Sequence, residues 1–150
     1  MKMYGNPDWF SGNEHGYMFF QLLIELAHIW DDLIDKDVER SDDDINHAFL
    51  ICLVLLPSNP VYKALQEQLL PMWVQIITAY QTANEFEKNK DEHGLEISHT
   101  LRYAAGHMIG YVMIYCSGLE KARKYMPDMW KLVVGERFDE YRKEHLNVQN

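Results

Sequence analysis

Apolar residues recur along this chain at three- and four-residue intervals, and period-two alternation is absent. The pattern therefore predicts helices and no sheet. A first helix is expected from about Trp9 to Ile34, with Leu22, Leu23, Leu26, Ile29, Trp30 and Leu33 on its apolar side. Ser41 followed by Asp42, Asp43 and Asp44 reads as an N-cap with an acidic first turn. The helix it opens is expected to end at Leu56, before Pro57, and its nearly continuous apolar run predicts a central position. Pro60 opens a third helix. Its stripe is Tyr62, Leu65, Leu69, Met72, Ile76, Tyr80 and Ala83, and Pro71 predicts a kink or break within it. A fourth helix is expected from about Leu95 to Cys116, ending at Gly118, followed by a short segment, LEKARKYM. A last helix is expected from Pro127, with Trp130, Val133, Val134, Phe138 and Tyr141 on its apolar side. The predicted architecture is an all-α bundle of about five or six helices.

The length of 150 residues fits one domain, 1–150, with a substantial core. A net charge of −9 disfavours nucleic acid, because no basic stripe exists to neutralise phosphates. It also implies that an anionic ligand would need metal ions to bridge it to the protein. Cys52 and Cys116 lie in apolar runs and read as buried free thiols of a reducing compartment. No apolar signal core and no bilayer-length apolar run are visible, so the expectation is a cytoplasmic protein with no membrane partner.

The candidate chemistry lies in ELAHIWDDLID, Glu25 to Asp35. At about 100° per residue, Glu25, His28, Asp32 and Asp35 fall within an arc of about 80°, widened to about 120° by Asp31. Like charges at such spacings destabilise a helix unless a cation sits between them. The stripe also lacks interspersed Lys and Arg. Asp31, Asp32 and Asp35, with Glu25 and His28 beside them, are the candidate metal ligands. Mg²⁺ suits them, since it takes carboxylate oxygens together with substrate phosphates. A solvated polar face is the plain alternative.

The stretch DDLIDKDVER, Asp31 to Arg40, resembles the first aspartate-rich motif of class I isoprenoid (prenyl diphosphate) synthases. The matching positions are Asp31, Asp32, Asp35 and Arg40. The resemblance implies Mg²⁺ on the aspartates and a diphosphate contacted by Arg40. Ser41 and Asp42 depart from the family pattern, which has Arg and Gly there. GERFDEY, Gly135 to Tyr141, echoes only the Gly and Phe of the family's second motif. Asn84, Lys88 and Glu92 have the spacing of its Asn/Ser/Glu alternative, with Lys in the Ser position. The resemblance covers residues 25–40 and implies metal–diphosphate chemistry more than prenyl transfer.

A second constellation is Glu96-Ile-Ser-His99, which repeats the Glu-x-x-His spacing of Glu25 and His28. Two such pairs with two single carboxylates form the di-iron site of ferritin-like bundles, with Glu67 and Glu136 or Glu140 as the singles here. Iron, as Fe²⁺/Fe³⁺, is therefore the alternative cofactor. Glu96, His99, Tyr103, His107 and Gly110 line one stripe, with Gly106 beside it. If that stripe faces the acidic one across a cleft, His99 and His107 become candidate ligands or acid–base groups and Arg102 a phosphate contact.

The leading expectation is a Mg²⁺-dependent protein binding a small phosphorylated molecule through the metal, as a diphosphate lyase, transferase or pyrophosphohydrolase if it is an enzyme. The alternatives are the di-iron bundle and a non-catalytic interaction protein. A homodimer with a shared site could supply what a short chain lacks.

Overall fold

A computed structural model describes residues 2–146, and every regular element among them is helical. A 3₁₀ turn at Pro7–Phe10 leads into α1, Glu14–Asp35. Next come α2, Asp42–Ser58, and α3, Pro60–Asn89. The chain then forms α4, Glu92–Leu101, and α5, Ala105–Ser117. It ends with α6, Leu119–Val133, and α7, Phe138–Leu146. The all-α bundle is built from these helices in this order.

Four helices start on side chains suited to the task. Asn13 accepts from the amides of His15 and Gly16, and Asn59 from those of Val61 and Tyr62. Ser41 and Asp44 form a capping box, and Asp91 accepts from Gly94. Each satisfies amides that the first helical turn leaves without partners. Lys36 and Lys90 close α1 and α3 in the left-handed conformation, at φ of 58° and 54°.

Several boundaries differ from the expected ones. The first helix begins at Glu14, because Ser11 and Gly12 adopt positive φ and end the preceding turn. Pro71 breaks nothing: α3 runs through it for 30 residues. Pro127 likewise lies inside α6, so LEKARKYM and the segment up to Val133 are one helix. Both prolines are on exposed faces, where the carbonyl that loses its helical partner can bond to water. The expected fourth helix is divided at 102–104, where bonds from Tyr103 to Thr100 and from Ala104 to Leu101 tighten the chain into turns.

Phe10, Phe19 and Phe20 form an aromatic core with Leu69, Ile109 and Met113, all fully buried. Trp9 is buried beside them. Gly106 and Gly110 serve helix packing: the Trp130 ring lies against the first and Met126 against the second. The helix expected to be central is not. In α2 Ile51 and Leu56 are buried, whereas Phe49 is 61% and Leu53 71% exposed. Its Ile51–Leu55 turn is π-helical. Both cysteines are free, but neither is fully buried: Cys52 is exposed, because it sits on this outer helix, and Cys116 is half-buried. Among the described residues no single helix is long and apolar enough to cross a membrane. The α2–α3 pair reaches the necessary length and composition together, but bends by 102°.

Candidate functional site

The acidic stripe of α1 is divided between two arginines. On the bundle side, Arg102 Nη2 donates to Asp31 Oδ1 at 2.6 Å and to Asp35 Oδ2 at 3.1 Å. Its Nη1 donates to Glu87 Oε1 of α3 at 3.0 Å. Arg102 is in place because α4 ends there and turns its side chain towards α1 and α3. The side chain is only 8% exposed. Burial opposes the guanidinium charge, but Asp31 and Glu87 outweigh it and hold the pKa above its usual value. Tyr80 donates to Asp31 at 2.6 Å and Tyr141 to Glu87 at 2.8 Å. Burial, reinforced by these carboxylates, pushes both phenols up. Burial, with Asp31 beside it, also raises Asp35 despite the pull of Arg102.

This arrangement corrects two expectations. Arg102 is held by three carboxylates, Asp31, Asp35 and Glu87, in place of the expected phosphate. The stripe's mutual repulsion is relieved by a guanidinium from another helix. Sequence reasoning missed Glu87, Tyr80 and Tyr141, which lie far from the motif in the chain.

Asp32 points the other way, to Arg40, whose Nε donates to it at 2.7 Å. Arg40 lines a cavity of about 460 Å³ between the N-terminal segment, α1 and the start of α2. Lys2, Tyr4, Glu25, His28 and His47 share its wall. Gln21 builds that wall. Its Oε1 accepts from the Tyr4 amide at 2.7 Å and its Nε2 donates to the Tyr4 carbonyl at 2.9 Å. This reciprocal pair, buried on α1, fastens the N-terminal segment across the helix. Lys2 Nζ lies 5.3 Å above the Tyr4 ring, and His28 meets that ring edge-on at 5.7 Å. His47 Nε2 is 3.1 Å from Glu25 Oε1. Glu25 Oε2 is buried without a hydrogen-bond partner.

Three expected residues, Glu25, His28 and Arg40, thus meet at one cavity, while Asp31 and Asp35 belong to the Arg102 cluster. Among the described residues no three or more His, Cys, Asp or Glu side chains gather closely enough to share a metal ion. The cavity also differs from the expectation that an acidic chain can meet an anion only through metal. Four basic side chains from separate segments gather at one place, which net charge cannot reveal. Lys2 and His47 carry no motif, and only folding brings them to Arg40 and His28.

The second constellation does not assemble. His99 Nε2 lies 2.7 Å from the Glu136 carbonyl oxygen, and its ring packs among Phe138, Tyr141 and Tyr103. Glu96 is exposed beside His93, and Glu67 and Glu140 are also exposed. His107 is edge-on to Trp130 at 4.9 Å. The turns at 102–104 rotate α5 relative to α4, so one predicted stripe becomes two faces. Neither histidine faces the acidic residues of α1 across a cleft.

The chain matches no known family model, no curated protein and no solved structure.

Proposed function

We propose that the protein binds a small phosphorylated ligand in the cavity between its N-terminal segment, α1 and α2. The observation that carries this reading is the convergence of Lys2, His28, Arg40 and His47 on one cavity of about 460 Å³ in a protein of net charge −9. Phosphate oxygens are acceptors only. Ammonium and guanidinium groups supply donors with matching charge, and imidazole rings supply further N–H donors. The volume lies within the usual range for small-molecule sites, about 300–1,000 Å³.

Mg²⁺ remains part of this proposal in a reduced form. Asp31, Asp32 and Asp35 do not fit a common ion, since two face Arg102 and one faces Arg40. Glu25 fits better. A buried carboxylate oxygen without a donor is costly, about 1–3 kcal/mol or more. An ion entering with the ligand's phosphate oxygens would satisfy Glu25 Oε2. Mg²⁺ commonly binds through one or two carboxylates plus substrate phosphates, so a full protein cage is not required.

Thermal unfolding with inorganic pyrophosphate, with and without Mg²⁺, tests the reading. A native-state ligand at a hundred times its Kd raises stability by about 2.7 kcal/mol. The expected result is a higher midpoint with pyrophosphate that is lost in Lys2→Ala and in His28→Ala. Both residues are exposed and the variants should fold. An unchanged wild-type midpoint under both conditions overturns the proposal.

A further inference from the structure

From Ile45 to Tyr62 and from Gln68 to Asn84 the chain carries no Lys, Arg, Asp or Glu. These two stretches form most of α2 and α3, which meet at a sharp bend. Between them and α1 lies a groove of about 570 Å³ that includes Trp30, Tyr62 and Trp73. Two of these rings pair with each other, Trp73 Nε1 donating to the Tyr62 hydroxyl at 3.2 Å. Beside the groove stands a ridge on α2, where Phe49 and Leu53 project into solvent. The far bank on α3 presents Leu70, Val74 and Ile77 at helical spacing, with Val74 59% exposed.

We infer that this face is a homodimer interface in which the α2 ridge of each copy enters the groove of the other. A second copy suits the face better than any other occupant. A small apolar molecule could fill the groove, but it would leave Leu53, Val74 and their neighbours in water. The exposed apolar side chains extend beyond the groove onto both banks, from Phe49 and Leu53 to Leu70 and Val74, a spread that only a protein-sized partner covers. A bilayer surface is a poor fit: neither charge-free stretch holds a Lys or Arg, and net charge −9 repels anionic lipid. A ridge beside a groove on one face is self-complementary, as a two-fold contact requires. The copies repel through acids elsewhere, but this face brings no like charges together. Homodimer contacts are the most apolar class of interface, which agrees with a patch lacking ionic residues. The dimer does not depend on phosphate binding, since the groove and the cavity proposed for that share no lining residue.

Sedimentation velocity and light scattering on the full chain test it. The expected wild-type mass at micromolar concentration is twice the 17.7 kDa of one chain. Leu53→Glu should give a monomer with unchanged helical circular dichroism, since Leu53 packs little within its own chain. Val74→Glu, on the opposite bank, should do the same and serves if the first variant misfolds. A monomeric wild type overturns the inference. So does a dimer that survives both substitutions, which would use another face. A monomer that sediments with zwitterionic phosphatidylcholine vesicles also overturns it, in favour of a membrane surface.

Discussion

Arg102 Nη2 lies 2.6 Å from Asp31 Oδ1, and the same guanidinium reaches Asp35 and Glu87, so a single residue ties α4 to both α1 and α3. The value of such a contact lies mostly in what its removal leaves behind. Taking away one partner of a buried ion pair costs about 3–5 kcal/mol, because the remaining charges lose their compensation. Asp31 and Asp35 keep some access to water here, so the lower end applies. Arg102→Ala should cost about 3 kcal/mol in urea unfolding. Asp31→Asn in that background should cost less than it does alone, because it relieves repulsion among the stranded carboxylates. A double-mutant cycle measures this coupling.

Gln21 is the support of the proposed ligand cavity. Its amide holds the Tyr4 backbone at both ends, and each bond contributes about 1 kcal/mol net. Gln21→Ala should cost about 1–2 kcal/mol and release the segment carrying Lys2. Amide exchange at Tyr4 should accelerate sharply. Pyrophosphate binding should weaken even though Arg40, His28 and His47 are untouched. Unchanged exchange at Tyr4 would contradict this role for Gln21.

The helices were legible because each signal is local. Ser41 with its acidic neighbours, Asn59 before Pro60, and the three- and four-residue apolar spacing all act within one or two turns. Pro127 did not start a helix and Pro71 did not break one, because a proline's effect depends on whether its freed carbonyl meets water or core, and exposure is a tertiary property. The same holds for the apolar run of α2. Hydrophobicity predicted burial, yet Leu53 and Phe49 face outward from an edge helix. The acidic stripe of α1 was located, although it divides between Arg102 and Arg40 rather than forming one face. Its partners were not, since Arg102 and Glu87 reach it from two other helices. His99 and Glu96 showed a ligand spacing, but spacing on one helix does not decide what stands opposite.

Glu136 supplies a pH dependence with a definite sign. Burial, then a hydrogen bond with Glu144, pushes its carboxyl from 4.5 up to about 6. An acid whose pKa is higher in the folded state binds its proton more tightly there. Folding is therefore favoured by protonation, and this contribution is lost as the pH rises from about 4.5 through about 6. Glu136 is only half-buried, so the effect should be at most about 1 kcal/mol after screening. Glu136→Gln should flatten the stability profile in that window and leave the protein at least as stable as wild type at pH 7. Chemical unfolding across the pH range measures both.

Gly106 tests the contact between α5 and α6. A Cβ added there would meet the Trp130 ring at 2.5 Å, too close for any relaxed contact. Alanine in a helix interior gains about 1 kcal/mol over glycine from propensity alone. Overpacking a fitted core costs about 1–3 kcal/mol. The two effects oppose each other, and the large flat ring, held edge-on to His107, has little room to yield. Gly106→Ala should therefore be destabilising by about 1 kcal/mol, contrary to the propensity scale. Shortening the ring should reverse the sign. In a Trp130→Phe background the added methyl group finds space, and Gly106→Ala should become neutral or stabilising. If the alanine substitution has the same effect in both backgrounds, the close approach of Trp130 is not what requires glycine at this position.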